Sequence, residues 1–238
     1  MNTIPTAELA DIIRAAPSGD LSGSVTGVSI DSRTIQPGDC FFAIAGEKFD
    51  GHHYLEEAFS KGAACAVVGE DMDHPAGRTV LRVDDTIKAL GDFAAEYRRR
   101  MNFTVVAITG SVGKTTTRQI IHHVLSRKLP VLEAQASFNN NIGVPLTLLA
   151  ARPEHRIVVT ELGSNHPGEI AYLTRIARPD IALVTNVHPA HLAGFGDLQT
   201  IVKEKLSISE GLVPDGVLII NADCDPLVKL CRAKKLDY

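Results

Sequence analysis

Apolar residues along this chain fall into short continuous runs separated by stretches of helical periodicity. The clearest runs are 103–108, Ile157–Glu161, 181–186 and Val217–Ile220, and each reads as a buried strand. Between them, residues 114–128, 144–151, 168–177 and 198–211 carry the spacing of amphipathic helices. The strand runs are continuously apolar rather than alternating. They therefore predict a mostly parallel sheet with helices on both faces. In such a sheet, ligands sit beyond the carboxyl ends of the strands. Residues 109–114, Glu161 and residues 186–191 all fall at those ends.

Residues 1 to about 100 have the same α/β character on a smaller scale. Thr6 is the expected N-cap of a helix over 7–15, with Leu9, Ile12 and Ile13 on one face. Strands are expected at 25–30, 40–45, 64–68 and 79–83, with a turn at Gln36-Pro-Gly-Asp39. A helix over 54–61 closes at Gly62, residues 71–78 form a polar loop, and a helix over 85–100 leads to a joint near Met101-Asn102. Two domains follow, 1–101 and 102–238. A last helical pattern over 225–235 is succeeded by Leu236-Asp-Tyr238 with no natural closure, so the second sheet is expected to be incomplete at the C-terminus.

Composition sets limits. With 238 residues, 45% of them hydrophobic, the chain can bury a substantial core. A formal net charge of −4 and the absence of a basic stripe argue against nucleic acid as a partner. Arg98-Arg99-Arg100 reads as a solvated helix end. No basic-then-apolar leader and no apolar run of spanning length are found, so neither secretion nor membrane insertion is expected. Cys40, Cys65, Cys224 and Cys231 are scattered and read as reduced thiols of a cytoplasmic protein.

The densest chemistry lies at Val105-Val-Ala-Ile-Thr-Gly-Ser-Val-Gly-Lys-Thr-Thr-Thr117. An apolar strand stops at a glycine loop, and Lys114-Thr115-Thr116 opens a helix. Gly110 and Gly113 allow Thr109, Ser111 and Val112 to bring backbone N–H groups to an anion at a helix N-terminus. Lys114 can reach terminal phosphates, and the Thr115 hydroxyl can ligate Mg²⁺. The full consensus wants a glycine where Ile108 stands, so this is a short Gly-x-x-Gly-Lys-Thr loop.

Other residues carry weaker signals. Glu161, ending a buried strand beside that loop, suits a hard cation. His188 and His191 could ligate a metal or orient a phosphate, or could be ordinary loop histidines. Asn139, Asn140 and Asn141 could cap a helix or rim a polar substrate site. Lys203 and Lys205 read from charge pattern alone as a solvated helix face. Arg33 and Lys48, at two strand ends of the first domain, suit a diphosphate.

Taken together, these segments resemble the ATP-dependent Mur ligase family of peptidoglycan synthesis. The matching pieces are Asp31-Ser-Arg33, Gly46-Glu-Lys-Phe-Asp-Gly-His52, Ile108-Thr-Gly-Ser-Val-Gly-Lys-Thr-Thr116, Phe138-Asn-Asn-Asn-Ile-Gly-Val-Pro145, Glu161-Leu-Gly-Ser-Asn165 with Gly168-Glu-Ile170, and His191-Leu-Ala-Gly-Phe-Gly196. The asparagine-rich and Glu-Leu-Gly segments point to the branch that joins D-alanyl-D-alanine to UDP-N-acetylmuramoyl-tripeptide. The second domain is then a P-loop-type sheet and the first a substrate domain.

The resemblance implies that Thr115, Glu161 and His191 serve Mg²⁺ and phosphate. It also implies that Lys205 carries a carbamate able to hold a second Mg²⁺, with Lys203 as the fallback. Lys114, Glu161, His191 and Lys205 become the catalytic set. Ile30, Ser32, Arg33, Glu47, Lys48 and Phe49 match segments that hold the uridine diphosphate, and Asn140 and Asn141 lie toward the substrate. Ala45 stands where relatives often have a basic residue. The family's third domain would lie beyond Tyr238, so this chain, expected to be monomeric, should bind the UDP-linked substrate weakly but not ligate alone. Another, amino-acid-adding member of the family, a simple P-loop NTPase and a non-catalytic nucleotide-binding module are the alternative readings.

Overall fold

The computed structural model describes residues 1–71, 77–135, 137–189 and 195–238. The chain divides into two compact units, Met1–Tyr97 and Arg98–Tyr238. The division falls slightly ahead of the expected joint, because Arg98 is tied into the second unit as described below.

In the first unit, a five-stranded sheet runs in the order β2 (Ala16–Ser18), β7 (Val80–Arg82), β6 (Cys65–Val68), β5 (Asp39–Phe42) and β4 (Gly27–Ser29). All its neighbours are parallel except the edge pair β2–β7. The expected 25–30 strand is in fact two. Ser24–Val25 (β3) pairs antiparallel with Ile4–Pro5 (β1), while β4 joins the main sheet, the chain changing partners at Thr26. The β1 pairing also moves the first helix, α1 (Thr6–Ile13). Pro5, in extended backbone, takes the cap position, and Thr6 is a buried first helical residue rather than the cap. Phe41, Ala43, Leu55, Phe59 and Val68 pack one face of the sheet against α2 (Leu55–Ser60). The helix α3 (Thr86–Arg100) follows.

The second unit is an all-parallel sheet in the order β12 (Val217–Ile220), β11 (Ile181–Val184), β8 (Thr104–Thr109), β10 (Ile157–Glu161) and β9 (Val131–Glu133). Its helices are α4 (Lys114–Leu125), α5 (Gly143–Leu149), α6 (Glu169–Ala177), α7 (Leu198–Leu206) and α8 (Asp225–Ala233). On β8, Val106 and Ile108 pack into one cluster with Val159, Ile121 and Ile157, and the alternate residues Val105 and Ala107 are fully buried too. The central strands are thus covered on both faces, as continuous hydrophobicity requires.

β12 departs from that rule. Leu218 is buried, but Val217 and Ile219 are 52% and 44% exposed, so this edge strand covers one face only. β9 escapes notice in the sequence because three residues between Pro130 and the following polar segment are too short for a periodic signal. Among the described residues, no helix is long and apolar enough to cross a membrane. All four cysteines are free thiols, and three of them are buried.

The topology places the site. After β8 the chain crosses to the edge at β9, returns to β10 beside β8, and then passes to β11 on the other side of β8. The carboxyl end of β8 is therefore the point where strand order reverses, which opens a crevice. In register, Ile108 lies beside Glu161 and Thr109 beside Val184.

Arg98 corrects one expectation. It is not part of a solvated helix end: only 8% exposed, it donates to the carbonyls of Ala177 (3.1 Å) and Arg178 (3.0 Å) and pairs with Asp180 at 2.8 Å. Those carbonyls end α6, so the guanidinium satisfies acceptors that the helix leaves open. Burial pulls its pKa down, and the Asp180 charge opposes this. Arg98→Met removes the donors while leaving Asp180 and the α6 carbonyls in place. It should lower the unfolding free energy of this unit by about 2–3 kcal/mol, measured by denaturant titration.

Candidate phosphate site

The site grows out of the turn from β8 into α4. Gly110 adopts φ 143° and Gly113 φ 83°, both in the region that favours glycine. A Cβ at Gly110 would collide with the Thr185 hydroxyl. That hydroxyl donates to the carbonyl of Val112 at 2.7 Å and lies 3.3 Å from that of Thr109. Ser111 N donates to the Asn186 carbonyl at 3.1 Å, Val112 N to Asn186 Oδ1 at 3.1 Å, and His188 N to Ser111 Oγ at 2.9 Å. The loop is thus buttressed by the segment after β11, and two of its amides are spent on that buttress. Thr109 is buried, with its hydroxyl donating to the Leu162 carbonyl at 2.8 Å. No side chain caps α4, so its N-terminal amides and dipole face outward for an anion, next to exposed Thr115 and Thr116.

Lys114 folds back on the loop, its Nζ 2.8 Å from the Gly110 carbonyl. Burial lowers its pKa and the Glu161 charge opposes that shift. Thr115 Oγ1 donates to Glu161 Oε2 at 3.1 Å. Two hard oxygen donors thus meet at the helix start, a donor set suited to Mg²⁺. Glu161 is only 4% exposed, and on its far side Arg118 Nε approaches Oε1 at 2.9 Å. This is ion-pair distance, but the N–H is not aimed along the line, and Nε has no aligned hydrogen bond. Arg118 also lies 3.6 Å from Glu133 on β9, to which His122 comes within 3.4 Å. Sequence reading missed Arg118 and Glu133. The available signal was Arg118 three residues after Thr115, on the same helix face.

Lys205 is not on a solvated face. It is 4% exposed on α7, with Nζ donating to Ser164 Oγ at 2.8 Å and lying 5.7 Å over the Phe195 ring. Burial, then the positive charge of Lys114, push its pKa down to about 8 against the pull of Glu204 and Glu169. Glu204 is buried as well: its carboxylate accepts from Gly168 N at 2.7 Å and Ile170 N at 2.8 Å, capping α6. Lys203 is exposed. Lys114, Asn139, Asn140, Asn141, Gly163, Ser164, Asn165, Glu169 and Tyr172 line one cleft of about 780 Å³. Asn140 also caps α5, accepting from Gly143 N at 2.9 Å, as the capping reading expects. His191 lies outside the described residues.

In the first unit, Ser32 donates to Glu57 at 2.8 Å, and Arg33 grips Asp31 with Nε and Nη2 at 2.9 and 2.6 Å. The Arg33 guanidinium holds the Asp31 carboxyl at about 2. Ile30 is half-buried. Glu47, Lys48 and Phe49 are exposed on a turn closed by Gly46 N to the Phe49 carbonyl at 2.9 Å. Asp50, His52 and Glu70 approach within 4.8 Å, but both ring nitrogens of His52 are used, by Asp50 at 2.6 Å and Gly69 N at 2.9 Å. That cluster is a clasp beneath the turn.

Gly110→Ala should lower the stability of the second unit by about 2–3 kcal/mol through backbone strain and the Thr185 collision. Adding Thr185→Ala should recover part of the loss, because it relieves the collision and leaves the strain. Chemical denaturation of the two variants checks this.

The chain matches the Mur ligase middle domain over residues 108–237 and the domain described as Mur ligase family, catalytic domain, over residues 24–98. It is 43% identical over 227 residues to the UDP-N-acetylmuramoyl-tripeptide–D-alanyl-D-alanine ligase of Haemophilus influenzae, covering 94% of this chain and 50% of that protein. The Escherichia coli enzyme of the same name is 38% identical over 226 residues, covering 94% and 49%. A crystal structure of MurF from Acinetobacter baumannii superposes with a TM-score of 0.91 at 34% identity, covering 99% of this chain and 52% of that one. MurF ligase from Thermotoga maritima, solved in complex with ADP, gives 0.80 at 31% identity, covering 88% and 48%. The chain spans about half the length of the curated relatives it matches. With a parallel sheet whose central strand ends in a Gly-Lys-Thr loop, and with both halves matched in order, the chain belongs to the Mur ligase family.

Proposed function

We propose that this chain supplies the substrate-binding and nucleotide-binding parts of an ATP-dependent ligase that joins D-alanyl-D-alanine to UDP-N-acetylmuramoyl-tripeptide. The observation that carries the reading is the convergence of Lys114, the Thr115–Glu161 pair and buried Lys205 at the carboxyl edge of β8. The relatives named above bear the name of that activity, and one was solved with ADP.

The terminal carboxylate of the tripeptide is a poor electrophile until one oxygen becomes a leaving group. Transfer of the γ-phosphoryl group of ATP onto it gives an acyl phosphate and ADP. The amine of D-alanyl-D-alanine then attacks the acyl carbon, and the C–O bond to phosphate breaks as the amide forms. The protein positions the reactants and offsets charge, without a covalent nucleophile. The α4 amides from Gly113 to Thr116 cradle the β- and γ-phosphates, and Lys114 turns from the Gly110 carbonyl toward the γ-oxygens. Thr115 and Glu161 would hold Mg²⁺, with His191 assigned to the same task, and the bound ion would supply positive charge beside the phosphoryl group. Asn140 and Asn141 face the peptide end of the substrate. Ile30, Ser32, Arg33, Glu47, Lys48 and Phe49 hold the uridine diphosphate.

Lys205 as an amine has no oxygen to offer a cation; as a carbamate it presents two. Carbamylation needs the neutral amine, and a pKa lowered to about 8 makes that form far commoner near neutral pH than in an ordinary lysine. Acidification favours the charged amine and should strip the modification. Intact mass spectrometry at pH 8 should find one added CO₂ that disappears in Lys205→Ala.

The full-length protein should release phosphate only when UDP-N-acetylmuramoyl-tripeptide is present, and Lys114→Met should lower kcat about a thousandfold. The 238-residue chain should bind ADP in calorimetry and form no amide. Phosphate release independent of the UDP substrate would establish a plain NTPase instead.

A further inference from the structure

Arg118 has no part in the mechanism above, yet it is one of the most buried charges in the second unit. It is 4% exposed and reaches two carboxylates, Glu161 at 2.9 Å and Glu133 at 3.6 Å. If Arg118 only tethered α4 to the sheet, its donors and their acceptors would be expected to be paired. Instead Arg118 Nε and Glu133 Oε2 are both buried without an aligned hydrogen bond. Unsatisfied buried polar atoms are rare and call for a reason. The reason lies in which oxygen each neighbour takes. Arg118 stands against Glu161 Oε1, and Thr115 stands against Oε2. One carboxylate oxygen is thus reserved by a permanent cation, and the other faces the helix start.

We infer that Arg118 restricts Glu161 to ligation through a single oxygen and thereby makes the cation site select Mg²⁺ over Ca²⁺. Mg²⁺ demands octahedral geometry at short distance and is commonly held by a carboxylate through one oxygen. Ca²⁺ gains from bidentate carboxylates and a higher coordination number. A guanidinium parked on Oε1 blocks the bidentate mode by charge and by occupancy. Glu133 holds the other end of Arg118, with His122 Nδ1 3.4 Å from the second Glu133 oxygen, so the guanidinium is shared between the two carboxylates rather than surrendered to Glu161. The inference rests on the nucleotide reading above and assigns to it a source of metal selectivity.

The test measures cations directly, not turnover. With ADP present, Mn²⁺ bound to the chain is followed by electron paramagnetic resonance and displaced by Mg²⁺ or by Ca²⁺. Arg118→Met should lower the Mg²⁺-to-Ca²⁺ preference about tenfold, mainly through tighter Ca²⁺ binding, and Arg118→Lys should stay within about twofold of the native chain. Equal loss for both ions in Arg118→Met, or an unchanged ratio, would overturn the inference and leave Arg118 a tether. Glu133→Gln gives the second arm should Arg118→Met fail to fold. Freed from its second carboxylate, Arg118 is drawn to Glu161, so the preference should hold or rise, and a fall would overturn the inference. A native chain that takes up no Mn²⁺ with ADP would sink the nucleotide reading, and this inference with it.

Discussion

Everything at the site depends on how β8 is stopped. A parallel strand buried on both faces must end in four residues and release a helix whose amides point at one spot. The backbone manages this through two glycines in the positive-φ region, and the Thr185 hydroxyl fills the space where a side chain at Gly110 would be. Thr185 and Asn186 arrive just past the end of the neighbouring strand β11 because the strand order reverses at β8. Loop shape is therefore a property of the sheet and not of the loop alone. The same reversal brings Glu161 up on the other side, in register with Ile108. A short Gly-x-x-Gly-Lys-Thr loop suffices because its neighbours complete the walls.

Charge management follows from that geometry. The crevice gathers Lys114, Arg118 and Lys205 near Glu133, Glu161 and Glu204, most of them shielded from water. Each buried charge is tied to a neighbour or to free helix ends. Glu204 caps α6, Arg98 completes the other end of that helix, and Arg118 faces two carboxylates. Lys205 is the exception: among the described residues its Nζ meets a hydroxyl and an aromatic face, and burial, then the Lys114 charge, disfavours its charged form. A group left in that state is primed for chemistry that consumes a neutral amine.

How much of this could be read from residues alone differs by length scale. The strand 104–109, its glycine turn and the helix after it are local, and their signal is dense. Ile157–Glu161 and Val217–Ile220 match the expected strands to the residue for the same reason. Where a partner far along the chain decides, the reading fails. The 25–30 run splits because Ile4–Pro5 competes for its first half. Arg98 looks like a charged helix end until Ala177 and Asp180, some eighty positions away, are placed beside it. Lys205 and its neighbour Glu204 read as a solvated pair because helix periodicity cannot say which face another helix covers. Arg118 and Glu133 meet only because a three-residue strand, too brief to leave a pattern, lands at the sheet edge.

The exposed apolar residues of β12 have a consequence for handling the molecule. Val217 and Ile219 face water on the last strand of a parallel ladder, whose outer edge has no paired strand among the described residues. Such an edge offers unpaired backbone groups beside sticky side chains, a template that another chain can extend. Ile219→Lys would place a charge on that edge, with β11 between it and the carboxyl end of β8.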